Sequence, residues 1–304
     1  MPRRAFAVLF SLALIAGQAR AEAPLRWDAT GHVVVPATVD GKGPFDFILD
    51  TGADESAVYA WFAKALDLPK GKAGQLSGAT GTAAMTASKV AALTVDGRTL
   101  RDIEADTVPD RADGAKIAGV AGVDLMAGRL TVIDFGCKTV ALLPLQGAPA
   151  DIAGPGAVPI KAGSIRDGKQ LTLPVTVNGA PGVAVLDSGA KATAINLKFA
   201  LAAGVDPLSR AFRDAEPTRG ATLASVASRV GPIGTVRFAG LTRPTVTARV
   251  LDLPYLQSAG LANVPAMNMG LDLLAGTRLT LDYSARRFWL APSRCPAAAG
   301  SPAA

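Results

Sequence analysis

The chain has 304 residues, 49% of them hydrophobic and 18% charged, which excludes a disordered polypeptide and allows one large domain or two small ones. Its formal charge of +6 is scattered along the sequence and forms no basic stripe, so nucleic acid is not an expected partner. With two cysteines and one histidine, His32, the chain cannot build a four-thiolate zinc site, an HExxH helix or a multi-histidine metal site.

In chain order, residues 1–21 read as a signal peptide. Arg3 and Arg4 form a basic start, residues 5–16 are apolar but too few to span a bilayer, and Ala19-Arg20-Ala21 is a cleavage signal ahead of Glu22. A retained membrane anchor is the competing reading; the shortness of the apolar run and the small residues after it argue against it. Cleavage removes Arg3, Arg4 and Arg20 and no acid, halving the positive excess. No cysteine lies near the cleavage point. The expectation is a periplasmic or secreted protein without membrane contact after signal removal. A Ser-His-Asp triad would need His32, which opens the apolar run His32-Val33-Val34-Val35 and reads as the start of a strand.

Val35-Pro36-Ala37-Thr38-Val39 is a β-patterned run stopped by Asp40-Gly41, a hairpin turn signal. The apolar run Phe45-Asp46-Phe47-Ile48-Leu49 follows and ends in Asp50-Thr51-Gly52-Ala53. Residues 56–66 read as a short helix, residues 74–81 are rich in Gly, Thr and Ser, and Gly122-Val123-Asp124-Leu125-Met126-Ala127-Gly128 precedes a strand over 130–135. After a Gly/Ala/Pro-rich joint at 146–156, the same blocks return in the same order. Leu173-Pro174-Val175-Thr176-Val177 stops at Asn178-Gly179, and Gly182-Val183-Ala184-Val185-Leu186 ends in Asp187-Ser188-Gly189-Ala190. Helix 197–203, a polar stretch at 219–228, and Gly270-Leu271-Asp272-Leu273-Leu274-Ala275-Gly276 before a strand over 279–283 complete the repeat. Five blocks in register identify a tandem duplication, with halves near 27–146 and 168–292. The predicted division is a signal peptide (1–21), an N-terminal lobe (22–148), a linker (149–167), a C-terminal lobe (168–292) and a flexible tail (293–304). Abundant Gly and Pro between Val- and Thr-rich runs predict an all-β fold.

Each half carries one acid at the end of an apolar strand. A carboxylate there is costly to bury alone. Two brought together share a proton, because adjacent like charges cannot both ionise cheaply. The ionised member suits a general base acting on water, and the neutral member a general acid toward a peptide carbonyl. Asp50 and Asp187 are therefore the candidate catalytic pair. Gly52 and Gly189 allow close approach, Thr51 and Ser188 place hydroxyls at matching positions, and Ala53 and Ala190 keep the loops small.

Leu49-Asp50-Thr51-Gly52-Ala53-Asp54 and Leu186-Asp187-Ser188-Gly189-Ala190 resemble the active-site motif of retropepsin-like aspartic proteases. Val120-Ala121-Gly122 resembles that family's second signature, with Met269-Gly270 its counterpart in the other half. The resemblance covers nearly the whole mature chain and implies an acid protease fold: two closed β-barrel lobes related by a pseudo-twofold axis, each with a short helix or two. It implies a site between the lobes, no cofactor, a monomer, and an extended peptide or protein substrate covered by two flaps. The flaps are carried onto Ser77, Gly78, Ala79, Thr80 and Gly81, and onto Arg219, Gly220 and Ala221. Two positions depart from the pattern: Asn268 is polar where the signature is apolar, and Lys191 stands where the first half has Asp54.

Asp124, Asp272, Asp134 and Asp282 also repeat; helix starts and strand ends are their expected places. Trp27, Trp61 and Trp289 are expected to pack. In an exported chain Cys137 and Cys295 are candidates to pair, with two free thiols as the alternative. The functional expectation is an aspartic endopeptidase. The alternative is a peptide-binding module of the cell envelope with little or no turnover, an idea motivated by Asn268 and by the alanines in the flaps.

Overall fold

The computed structural model describes residues 22–145, 149–154 and 157–295. The expected signal peptide, parts of the joint and residues 296–304 lie outside them. Among the described residues, β structure dominates, arranged as two eight-stranded sheets with the same strand order.

Each lobe opens with a hairpin. Val33–Val39 pairs antiparallel with Lys42–Leu49, and Gln170–Val177 with Ala180–Leu186. Along the first strand Val35, Ala37 and Val39 are buried while Pro36 and Thr38 are half-buried, the alternation of a strand with one face on a core. The turns have positive φ at both central residues: Asp40 at 50° and Gly41 at 76°, Asn178 at 49° and Gly179 at 87°. That geometry follows the twist of the flanking strands and suits Asp-Gly and Asn-Gly. Ala37–Val39 then meets residues 93–95 of the long strand Gly81–Val95, and residues 175–177 meet 236–238 of Ser225–Phe238. These pairings close each sheet on itself, so both lobes are the closed β-lobes that the resemblance implies.

A short strand from later in each lobe inserts beside the second hairpin strand. Gly119–Ala121 runs parallel to Lys42–Leu49, and Ala266–Met269 parallel to Ala180–Leu186. On their other sides lie Ala57–Tyr59 and Ala194–Ile195, both antiparallel. The first of these corrects the sequence reading, which predicts one helix over 56–66. The chain runs as strand through Ala57–Tyr59 before helix Ala60–Ala65. All three strand residues are buried, and pairing with residues 106–108 and 119–120 outweighs the local helical pattern. In the second half the expected helix forms as Leu197–Ala202. Asn196 is its N-cap, its side chain accepting from the Phe199 N–H.

A third sheet, which the sequence does not predict, joins the lobes. Its six strands run in the order Ala23–Pro24, Thr139–Pro144, Arg129–Asp134, Thr277–Asp282, Arg287–Pro292, Ile160–Lys161. The central pairing of Arg129–Asp134 with Thr277–Asp282 couples the last hairpin of one half to that of the other. One continuous apolar cluster runs from Val33, Phe47 and Phe62 through Ile133 and Leu281 to Leu186 and Phe199. The predicted linker 149–167 contributes helix Pro149–Ala153, the edge strand Ile160–Lys161, and strand Gly163–Ile165 against residues 170–172. Residues 293–295, assigned by sequence to a flexible tail, are held: the Ser293 N–H donates to Gly276 O at 2.9 Å, and Cys295 is disulfide-bonded to Cys137. Trp289 is buried, Trp27 packs edge-on against Phe135, and Trp61 against Phe62. Among the described residues no helix is long and apolar enough to cross a membrane.

Candidate active site

Asp50 and Asp187 stand at equivalent ends of the two inner hairpin strands. Phe47, Ile48 and Leu49 before the first, and Ala184, Val185 and Leu186 before the second, are buried, which anchors the strands at a gain of about 1–3 kcal/mol per large side chain. The Asp50 N–H donates to Ala121 O and the Asp187 N–H to Met269 O, each at 3.0 Å. The carboxyl loops are tied to the short helices that follow the second-signature strands: Ala53 O accepts from the Val123 N–H and Ala190 O from the Leu271 N–H, both at 2.9 Å. Asp124 accepts from the hydroxyl of Ser56 at 2.7 Å and Asp272 from that of Thr193 at 2.6 Å. Those hydroxyls in turn accept from the Gly122 and Gly270 N–H groups at 3.1 Å. Asp124 and Asp272 thus brace the site from the first turns of two short helices, the structural place the sequence suggests.

Thr51 and Ser188 meet between the lobes, both buried. The Thr51 N–H donates to Ser188 Oγ and the Ser188 N–H to Thr51 Oγ1, each at 3.0 Å. The Thr51 hydroxyl donates to Leu186 O at 3.0 Å and the Ser188 hydroxyl to Leu49 O at 2.7 Å. Four reciprocal bonds fix one carboxyl loop against the other. Gly52 and Gly189 are required by the same contact. A Cβ on Gly52 would stand 2.8 Å from Asp187 Cγ, and one on Gly189 would overlap the Asp50 carboxyl.

The two carboxyls lie within hydrogen-bond reach of each other. Asp50 accepts from the Gly52 N–H at 2.7 Å; Asp187 accepts from the Gly189 and Ala190 N–H groups at 2.9 and 3.0 Å. Burial, then the charge of Asp187, holds the Asp50 carboxyl well above the usual carboxylate range. Burial also raises Asp187, but there it is opposed by hydrogen bonds from Asn268, from Asp50, and from the Ala190 and Gly189 N–H groups. The pair can therefore carry one proton and one charge between them.

Asn268, marked in the sequence only as a polar departure from an apolar signature, has a role that sequence reasoning missed. It registers beside Val185 in the parallel pairing and is buried, and its Nδ2 donates to Asp187 Oδ2 at 2.7 Å. Its Oδ1 accepts from the Tyr255 hydroxyl. The available signal was a polar side chain inside an otherwise apolar strand, which demands a buried partner.

The predicted flap residues sit at hairpin tips. Ser77 and Gly78 end strand Lys70–Gly78, Ala79 and Thr80 form the turn, and Gly81 begins the next strand; Arg219 ends strand Arg213–Arg219, and Gly220 and Ala221 follow in the turn. The tips touch each other: the Gly220 N–H donates to Thr80 Oγ1 at 3.0 Å. Ala79 O accepts from the Tyr255 N–H at 3.3 Å, joining the first tip to the opposite lobe.

The Asp54/Lys191 departure also has a structural setting. Asp54 accepts from Arg166 Nε at 2.6 Å and from Gln170 Nε2 at 3.0 Å, a bond between the lobes. Lys191, at the matching place in the other loop, is exposed, and its charge is felt at His32.

The family model described as aspartyl protease matches residues 35–125 and 173–273, once in each lobe. Comparison with characterised proteins gave no match. The matched segments each contain a hairpin, a carboxyl loop and a second-signature strand of the geometry above, and together they span most of the chain, which belongs to the aspartyl protease family.

Proposed function

We propose that the chain is an aspartic endopeptidase whose two catalytic carboxyls, Asp50 and Asp187, come from the two lobes of a single polypeptide. The observation that carries this reading is the pair itself: two acids at pseudo-equivalent strand ends, within hydrogen-bond reach and locked in register by Thr51 and Ser188. Ionised Asp187 removes a proton from water as its oxygen attacks the peptide carbonyl. Neutral Asp50 donates its proton to the carbonyl oxygen, giving a neutral tetrahedral diol. Asp187 then gives its proton to the amide nitrogen while Asp50 takes one back from the diol, the C–N bond breaks, and an acid and an amine are released. General acid–base transfer of this kind contributes typically ~100- to 10,000-fold to rate. The tips at 77–81 and 219–221 are read as flaps that must part to admit an extended peptide.

Because both carboxyls belong to one chain, a monomer suffices for activity. Export to the periplasm or beyond rests on the sequence of residues 1–21. The binding-only alternative drew on Asn268 and on the alanines in the flaps; Asn268 is a donor to Asp187, and no observation at the flap alanines favours binding without turnover.

The test is cleavage of a mixed denatured-protein substrate by the chain from Glu22 onward, from acid to neutral pH, with and without a pepstatin-type inhibitor. Cleavage that is inhibited, and that disappears in Asp50→Asn and Asp187→Asn, is the expected result. Undiminished cleavage by both variants would overturn it.

A further inference from the structure

The carboxyl loops are near copies, yet their surroundings are not. In the N-terminal lobe the strand beside Lys42–Leu49 places Val120 next to Ile48; in the C-terminal lobe the matching position beside Val185 holds Asn268. Val120 can offer no hydrogen bond. Asn268 offers its amide N–H to Asp187 Oδ2 at 2.7 Å. The orientation of that amide is not free. Tyr255, buried on helix Pro254–Ser258, donates its hydroxyl to Asn268 Oδ1. With the carbonyl end committed to a donor, the NH2 end faces the carboxyl. An N–H donor stabilises a carboxylate and gives nothing comparable to the protonated oxygen.

We propose that Asn268, oriented by Tyr255, is a positioning residue that breaks the symmetry of the pair, keeping the charge on Asp187 and leaving the proton on Asp50. This rests on the peptidase reading for its kinetic consequence, but the relay itself does not need turnover. The pKa directions agree: Asn268 leads the interactions that oppose the rise of Asp187, and no side chain does this for Asp50 among the described residues. The other titratable groups facing the pair bring no charge that biases it. Tyr255 feels both carboxylates, and Tyr59 and Tyr283 feel Asp50; all three phenols are pushed up by burial and stay neutral. Lys191 is exposed.

The test uses Asn268→Val, which copies the other lobe, Asn268→Thr, which keeps a donor in nearly the same volume, and Tyr255→Phe, which removes only the hydroxyl. The first readout is the acid limb of the kcat/KM–pH profile. Loss of a hydrogen bond to a charged group should raise its midpoint by about one pH unit in Asn268→Val, with a smaller rise in Tyr255→Phe and recovery toward wild type in Asn268→Thr. The second readout is the titration of 13C-labelled Asp carboxyls by NMR, which needs no activity. If the wild type cleaves nothing, the peptidase reading fails while the titration still decides the relay. Profiles and titrations of Asn268→Val and Tyr255→Phe that superimpose on wild type would overturn the proposal. A variant that does not fold is replaced by the Tyr255→Phe and Asn268→Thr pair, for which a rise in the first alone supports the relay and equal shifts refute it.

Discussion

Thr51 and Ser188 bind each other reciprocally: each backbone N–H donates to the other's hydroxyl at 3.0 Å, and each hydroxyl donates to a carbonyl of the opposite lobe, Leu186 O or Leu49 O. Every group in this exchange is removed from water, so deleting one hydroxyl leaves both a buried N–H and a buried C=O unpaired. Each such orphan costs about 1–3 kcal/mol. Thr51→Ala and Ser188→Ala are expected to destabilise the protein by about 2–4 kcal/mol each in urea unfolding. Each hydroxyl makes its own two bonds, but both pairs hold one loop contact, so the two losses should fall short of additive in the double variant. Full additivity would mean that the two hydroxyls act independently.

Gly189 makes a second prediction, this time about rate. A methyl group there would overlap the Asp50 carboxyl, which the Gly52 N–H holds in place, while the Ser188 hydroxyl ties the neighbouring loop to Leu49 O. Gly189→Ala should leave the lobes folded and lower kcat/KM by at least ~100-fold, the scale expected when a reacting group is displaced by about an ångström. Wild-type kcat/KM in a folded variant would refute the close approach.

What was legible in the sequence was whatever duplication wrote twice. The carboxyl loops, the Asp-Gly and Asn-Gly turns and the second-signature blocks each recur with local identity, and local identity predicts local geometry. What was not legible depended on partners distant in sequence. Ala57–Tyr59 is a strand only because residues 106–108 and 119–120 come to either side of it. The six-stranded sheet arises where Arg129–Asp134 finds Thr277–Asp282, well over a hundred residues later. Asn268 looked like a defect in an apolar motif, and its meaning required knowing that Tyr255 and Asp187 flank it. The contrast of Asp54 with Lys191 needed Arg166 of the linker and Gln170 of the other lobe to make sense.

His32 predicts a pH dependence of stability. Its Nδ1 faces Thr30 Oγ1 at 2.9 Å and Arg111 Nη2 at 3.3 Å. A guanidinium only donates, so Nδ1 accepts and the ring is neutral. Burial, then the charges of Arg111 and Lys191, lower its pKa from 6.5 to about 4. A pKa lower in the folded than in the unfolded state gives a contribution fully present above pH 6.5 and lost as pH falls to about 4. The size is up to about 3 kcal/mol. Subtracting the stability curve of His32→Gln from that of wild type isolates this term from the carboxylates that titrate nearby. The difference should decline over that window as the solution is acidified. A flat difference would show that His32 does not titrate with folding.

The disulfide gives the last prediction. Cys137 lies in the turn between the joining-sheet strands Arg129–Asp134 and Thr139–Pro144, Cys295 follows the joining-sheet strand Arg287–Pro292, and the bond closes a loop with a sequence separation of 158. Around it, Asp134 accepts from the Cys137 N–H at 2.9 Å, from the Ser293 hydroxyl at 2.5 Å and from Arg278 at 3.2 Å. These groups already link the two ends, so the bond reinforces a formed junction. Its main effect is then on the unfolded chain, whose freedom a crosslink of this span restricts by about 2–5 kcal/mol. Replacing both cysteines by serine should lower stability by that amount in urea unfolding while leaving kcat/KM near wild type, since its immediate neighbours belong to the joining sheet and not to the carboxyl loops. A large fall in kcat/KM with unchanged stability would instead mean that the junction sets the separation of Asp50 and Asp187.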